Sequence, residues 1–295
     1  MTSNTMLLAF DDERSLALEL AEALSMPLHC IVRHRFPDGE MRLVLPTPLP
    51  ATVLILRGLQ QPNDKLVELM IAAPTARELG AKRLVLLAPY LAYMRQDIEF
   101  TPGEAVSQRH IARLLASMFD HVLTIDPHLH RINSLDEVMP QGCGVTLSAA
   151  RLLGQWVAAQ VPAALLIGPD EESAQWVSEA ALAAGLDHAI GRKTRLGDHQ
   201  VTLALPDVDV SERAVVLLDD MASTGRTLIG SAQQLLLRGA STVDVAVTHA
   251  LFNGDALANL KAAGVRHVWS SNSVAHASNA VSVAGLLAEG WRHLN

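Results

Sequence analysis

Cysteine is scarce: Cys30 and Cys143 are the two in 295 residues. They exclude a disulfide framework and a four-thiolate zinc site, and such sparse use fits a reducing compartment. Basic residues are in deficit, 23 against 31 acidic, for a net charge of −8. That balance argues against a polyanion-binding surface and so against a nucleic-acid partner, while leaving room for a local phosphate pocket. No apolar run reaches the ~18 residues of a membrane span. The opening MTSNTMLLAFDDERS has neither a basic region nor a long apolar stretch, which predicts no signal peptide. Aromatic residues make up only 4%, but apolar residues reach 49% and charged ones 18%, which excludes disorder. The expectation is a soluble, cytoplasmic, globular protein without a membrane partner. At about 150 residues per domain its length corresponds to two domains.

Short β-rich runs alternate with longer Ala/Leu-rich runs at helical spacing. This predicts an α/β protein with mainly parallel sheets. Strands are expected over 6–10, 52–56, 83–87, 121–125, 163–167, 187–191, 214–218, 242–247 and 265–269. Helices are expected over 13–24, 64–79, 107–118, 148–159, 171–184, 227–238, 255–263 and 281–289. The Pro/Gly cluster PQGCGV, at 140–145, places the boundary between domains 1–143 and 144–295. A faint internal repeat supports two related halves. VLILRGLQQPNDKLVELM from Val53 and VVLLDDMASTGRTLIGSAQQ from Val215 both read strand, loop, helix. The first loop carries Arg57, Gly58 and Pro62 where the second carries two aspartates and a Ser-Thr-Gly-x-Thr run.

That second loop holds the most chemistry. An apolar strand runs into Asp219 and Asp220, then a small turn, then a helix. In a parallel sheet such a loop lies at a strand's carboxyl end, where ligands bind. Free N–H groups at the helix start suit a phosphate. Gly225 permits close approach of the backbone, and Ser223, Thr224 and Thr227 add hydroxyl donors. The carboxylates would repel that phosphate, so they suit the hydroxyls of a sugar diol, or a metal. The combination describes a ribose-5-phosphate pocket; the plainer alternative is an acidic turn with a Ser/Thr helix cap. A Walker A loop is excluded because its Gly-Lys-Ser/Thr ending is missing.

VVLLDDMASTGRT closely resembles the phosphoribosyl-diphosphate (PRPP) loop of type I phosphoribosyltransferases and of ribose-phosphate pyrophosphokinases. Further stretches resemble the pyrophosphokinases in particular. They are Phe36-Pro37-Asp38-Gly39-Glu40, PYLAYMRQD ending at Asp97, GEAVS ending at Ser107, LTIDPH ending at His128, and Ser282-Val283-Ala284 before the last helix. They occur in family order across nearly the whole chain. The resemblance implies two tandem type I phosphoribosyltransferase-like domains, each a mainly parallel sheet flanked by helices. The first would carry the ATP-side residues and the second the ribose-5-phosphate loop, with the last helix a candidate to pack back on the first. It implies transfer of the diphosphoryl group of ATP to the 1-hydroxyl of ribose 5-phosphate, giving PRPP and AMP, with Mg2+.

By the same resemblance Phe36, Asp38, Glu40, Arg95, Gln96, Asp97 and His128 bind ATP, Asp97 orienting Arg95. Asp219, Asp220, Ser223, Thr224, Gly225 and Thr227 bind ribose 5-phosphate. Lys193 and Arg195, in GRKTR at the base of a mobile loop, are the catalytic cations. Asp170 is placed near ribose and metal. His128 is a metal contact too, after its role as a phosphate partner, since magnesium prefers oxygen. The family's ATP loop commonly comes from a neighbouring subunit, which implies a homo-oligomer (dimer or hexamer) with shared sites. One departure stands out. Glu171 and Glu172 follow Asp170 where the family usually has small residues; they either alter metal affinity or turn outward as a helix-start charge pair. Competing readings are a PRPP-dependent phosphoribosyltransferase, a non-catalytic regulatory paralogue, and a different pentose phosphate as acceptor.

Overall fold

The computed structural model describes residues 4–129, 131–196, 200–204 and 206–294, with the backbone alone for 192–196 and 200–204. The chain divides into two units, Met1–Leu147 with Val283–Asn295, and Ser148–Ser282.

The first unit begins with β1 (Thr5–Ala9), α1 (Arg14–Leu24) and β2 (Leu28–Cys30). A hairpin of β3 (Val32–Arg35) and β4 (Met41–Val44) follows, then β5 (Thr52–Leu56) and α2 (Pro62–Glu78). The sequence continues through β6 (Arg83–Ala88), α3 (Ser107–Met118), β7 (His121–Ile125) and β8 (Gly144–Leu147). Six strands form one parallel sheet in the order β2-β1-β5-β6-β7-β8. Its centre is made of continuous apolar runs: Val53, Leu54, Ile55 and Leu56 are wholly buried, as are Leu84, Val85, Leu86 and Leu87. Strands covered on both faces require such runs. Each fully buried Leu, Ile or Val side chain contributes about 1.5–3 kcal/mol.

The second unit comprises α4 (Ala150–Gln160), β9 (Leu165–Gly168), α5 (Ala174–Ala184) and β10 (Asp187–Ile190). A hairpin of β11 (Arg192–Leu196) and β12 (Gln200–Ala204) comes next. Then follow β13 (Ala214–Ala222), α6 (Arg226–Leu237), β14 (Thr242–Ala250), α7 (Ala256–Ala262), β15 (Val265–Ser271) and β16 (Asn279–Val281). The parallel sheet runs β10-β9-β13-β14-β15-β16. Along β13, Val215 and Leu217 enter the cluster with Leu228, Leu235 and Leu260, while Val216 and Leu218 enter the one with Leu153, Val157 and Val177. That alternation is the period of a strand buried on both faces.

The two sheets have the same strand order, second, first, third, fourth, fifth, sixth, and each inserts an antiparallel hairpin between its second and third strands. The repeat read from Val53 and Val215 thus falls on β5 and β13, both third in the chain order of their sheets. Helix α8 (Ala284–His293) follows β16 but belongs to the first unit, where Arg83 donates to the Leu294 carbonyl and Arg292 to that of Ala23. No helix among the described residues is long and apolar enough to cross a membrane.

Several elements differ from expectation. β2, β8 and β16, short edge strands of three or four residues, fall outside the expected set, whereas the edge strand β10 falls where one was expected. β3 and β4 read VRHR and MRLV, with few buried positions to betray a strand. β13 runs on to Ala222, so Asp219 and Asp220 lie within the strand rather than after it. Helices expected from 13 and 171 begin with a 3-10 turn instead, Asp11–Glu13 and Glu171–Ser173. The last helix starts later than expected because Val281 still pairs in the sheet.

Candidate active site

The loop after β13 is short and its helix has a bare head. α6 is capped by Gly225, with φ +68° and no side-chain cap. An L side chain pays a steric penalty in that left-handed region, so glycine belongs there. The Ser/Thr-cap alternative is thereby removed. The first helical bond runs from Ile229 N to Gly225 O at 2.8 Å. The amides of Arg226, Thr227 and Leu228 therefore precede the intrahelical ladder and point out of the helix start. Thr224 is exposed, and Ser223 and Thr227 are half-buried. Arg226 occupies the first helical turn and is exposed. A cation there is unfavourable to the helix dipole and favourable to a bound anion. Sequence reasoning passed over it, although its place inside the STGRT run was a visible signal.

Carboxylates crowd the strand ends beside this seat. Asp220 is buried, and its backbone N–H donates to Asp219 Oδ1 at 3.0 Å. Burial, then the charges of Asp220 and Asp170, push the Asp219 carboxyl well above the usual carboxylate range. Asp219 still keeps part of its surface open to a ligand. Asp170 follows β9, the neighbour of β13, and is itself buried. Its Oδ1 accepts from Glu172 N at 3.1 Å, and its carbonyl accepts from Ser173 Oγ at 2.6 Å. Glu171 and Glu172 are exposed in that first turn, which is the outward of the two arrangements expected for them. Close packing positions this turn: Gly191 N donates to Gly168 O at 2.8 Å, and a Cβ at Gly191 would lie 2.6 Å from Pro169 O. Lys193 and Arg195 follow on β11, paired with Leu203 and Val201. Their side chains lie outside what the structure describes.

In the first unit the expected ATP residues occupy the loops after the strands, and the hairpin. Phe36, Asp38 and Glu40 form the β3–β4 turn, closed by Phe36 N to Glu40 O at 2.8 Å. All three are exposed, and Phe36 meets His34 edge to face at 4.8 Å. Arg33 ties the hairpin to the buried Glu68 of α2 at 2.5 Å, and Arg35 pairs with Asp64. Arg95, Gln96 and Asp97 lie on the long connection after β6. Arg95 is exposed, and Gln96 Nε2 donates to Glu104 Oε2 at 3.2 Å. Asp97, expected to orient Arg95, is buried and accepts from Arg131 Nη1 at 2.6 Å. The sequence carried no signal for that partner, 34 positions away. His128 follows β7, half-buried with φ +50°, in a tight turn whose N–H donates to Asp126 O at 2.9 Å. The buried Asp126, inside the IDPH stretch, was also passed over.

Among the described residues no three His, Cys, Asp or Glu side chains form a group that could hold a metal ion. Magnesium differs from zinc in this respect: it keeps waters and binds through one or two carboxylates plus substrate phosphates. The crowded acids at Asp170, Asp219 and Asp220 fit such an open site. A cavity of about 560 Å³ between α2 and α3 is lined by Met70, Pro74, Leu114 and Met118, toward the carboxyl ends of the two helices.

The fold is the tandem phosphoribosyltransferase-like α/β type. A crystal structure of phosphoribosylpyrophosphate synthetase from Mycobacterium smegmatis superposes with a TM-score of 0.85 at 24% identity, covering 99% of each chain. Residues 5–118 match the N-terminal domain of ribose phosphate pyrophosphokinase, and residues 200–289 the phosphoribosyl synthetase-associated domain. The ribose-phosphate pyrophosphokinase of Methanopyrus kandleri is 35% identical over 291 residues, 98% of this chain and 99% of its own. That of Methanosarcina acetivorans is 34% identical over 284 residues, 95% of this chain and 96% of its own. The chain belongs to the ribose-phosphate pyrophosphokinase family.

Proposed function

We infer that this protein transfers the diphosphoryl group of ATP to the 1-hydroxyl of ribose 5-phosphate, giving PRPP and AMP. What carries the reading is 35% identity with a ribose-phosphate pyrophosphokinase along essentially the whole of both chains. The glycine-headed junction of β13 and α6 agrees with it chemically. Amides and hydroxyls at Ser223, Thr224, Gly225 and Thr227 take the 5-phosphate. Asp219 and Asp220 accept hydrogen bonds from the ring hydroxyls. Phe36, Asp38, Glu40, Arg95, Gln96, Asp97 and His128 hold ATP.

The anomeric oxygen attacks the β-phosphorus, the bond from that phosphorus to the bridging oxygen of AMP breaks, and AMP leaves. Such transfers need alignment and charge neutralisation more than covalent help. Lys193 and Arg195 stabilise charge on the group in flight. Magnesium is assigned to Asp170 and the substrate phosphates, with His128 as a phosphate or outer contact. When bound it neutralises charge on the phosphoryl oxygens. Closing the site around both substrates would exclude water and limit ATP hydrolysis.

The protein is assigned a homo-oligomeric state, dimer or hexamer, in which ATP sites are shared. Exposed Val32, Phe36 and Val44 on the hairpin support contact with a second copy. The free thiols of Cys30 and Cys143 fit a cytoplasmic setting.

The test uses labelled ATP and magnesium. AMP formed only when ribose 5-phosphate is present supports the reading. Consumption of PRPP with a nucleobase would favour a phosphoribosyltransferase, and turnover of neither would favour a non-catalytic paralogue. A panel of pentose phosphates identifies the acceptor.

A further inference from the structure

Ser223 is held from outside its own loop. Asn253, on the connection between β14 and α7, donates its side-chain Nδ2 to Ser223 Oγ at 3.2 Å. Its backbone N donates to the Ser223 carbonyl, also at 3.2 Å. The two contacts clamp both ends of one residue. β14 is the sheet neighbour of β13, with Met221 beside His249 and Ala222 beside Ala250, so the two loops leave adjacent strand ends together.

The polarity of the side-chain bond matters. A serine hydroxyl has one proton to give and two lone pairs to offer. An amide N–H directed at the oxygen occupies a lone pair and leaves the proton for another acceptor. At the head of α6, the acceptor in need of that proton is an anion.

We propose that Asn253 is a positioning residue of the phosphate seat, committing the Ser223 proton to the 5-phosphate of the bound sugar. The proposal rests on the ribose-5-phosphate reading and extends it to a residue outside the motif. Asn253 does not touch the reacting atoms. It acts through Ser223, so its effect belongs on ribose 5-phosphate recognition and not on ATP.

The experiment compares Asn253→Asp, Asn253→Ala and Ser223→Ala in the full chain by steady-state kinetics, with calorimetric titration of ribose 5-phosphate. Aspartate keeps the shape but cannot donate; it accepts the Ser223 proton instead and adds like charge beside the phosphate. Asn253→Asp should raise KM for ribose 5-phosphate roughly ten- to hundredfold, the scale of a hydrogen bond to a charged group. Asn253→Ala, which frees the hydroxyl to rotate, should raise it less, and KM for ATP should hold within twofold in both. In the Ser223→Ala background, Asn253→Ala should add nothing further. A purely structural role predicts the opposite order, with alanine at least as harmful as aspartate and both KM values disturbed. That order, or an unchanged KM in Asn253→Asp, overturns the proposal. Should Asn253→Asp not fold, the cycle of the two alanine variants decides: additive effects overturn it, non-additive ones support it. Failure of the unsubstituted protein to bind ribose 5-phosphate would overturn the underlying reading as well, which separates the two failures.

Discussion

Arg57 follows the apolar run of β5 at the step where Asp219 follows that of β13, so the two units carry a basic and an acidic residue at matching points. Arg57 is wholly buried. Its guanidinium lies 4.4 Å over the Phe10 ring and reaches Asp12 at 2.7 Å, Glu68 at 2.5 Å and Glu13 at 3.4 Å. Lys65 Nζ donates to the Gly58 carbonyl at 2.7 Å. The first unit therefore fills with its own side chains the strand end that corresponds to the proposed ligand seat of the second unit.

Removing that cation should cost stability. Arg57→Ala leaves the buried Glu68 with Arg33 alone and the buried Glu13 with Lys65 and the Gly58 amide, a loss below the about 3–5 kcal/mol of a fully broken buried pair. Denaturant unfolding measures it. The acid limb changes as well. Burial works against charge on Asp12, but the Arg57 hydrogen bond and the nearby cations outweigh it and hold its pKa below the usual value. Asp12 thus contributes stability above the ordinary carboxylate pKa, lost as pH falls through its folded value. In Arg57→Ala most of that acid slope should vanish.

Asp219 has the reverse sign. Its folded pKa is raised, so the folded state holds a proton that the unfolded chain has released. Its contribution is complete below the ordinary carboxylate pKa and is lost as pH rises toward the folded value. Asp219→Asn should therefore raise the melting temperature at neutral pH in metal-free buffer while abolishing measurable PRPP formation. A melting temperature lower than that of the parent would contradict this account of a carboxyl raised by burial and by its acidic neighbours.

Gly225→Ala tests the helix head. The space is open, with Leu260 Cδ1 the nearest atom at 3.6 Å, so the penalty is torsional. At φ +68° it should amount to about 1–2 kcal/mol. Strain relieved by moving the loop would raise KM for ribose 5-phosphate while leaving that for ATP near the parent value. Thermal unfolding and steady-state kinetics together read both effects.

Lys193→Ala and Arg195→Ala should each lower kcat by about 10²–10³-fold, the scale of one lost transition-state contact. Nucleotide binding, measured by calorimetry, should be largely retained. Turnover unchanged by Lys193→Ala would remove that residue from the mechanism.

The strands at the centre of each sheet were legible because continuous apolar runs have little alternative to double-sided burial: β5 and β7 have the expected bounds. Of the four edge strands only β10 was legible. β2, β8 and β16 are short, and their strand character comes from the neighbour they pair with. The proposed seat was legible as a motif since Asp219 through Thr227 are contiguous, whereas the partners of its members were not. Asn253 lies 30 positions from Ser223, and Arg131 lies 34 from Asp97.

Local pattern alone determined the alternating α/β architecture, the repeat and the strand–turn–helix that carries the acids and hydroxyls. Burial period and backbone preference act over a few residues, and those are written along the chain. Only the tertiary structure decided which side chain answers which: Arg57 filling one strand end, Asp170 brought beside Asp219, and Asn253 clamping Ser223. Those meetings depend on sheet order and on where each loop leaves its strand, and no short-range property of the sequence contains either.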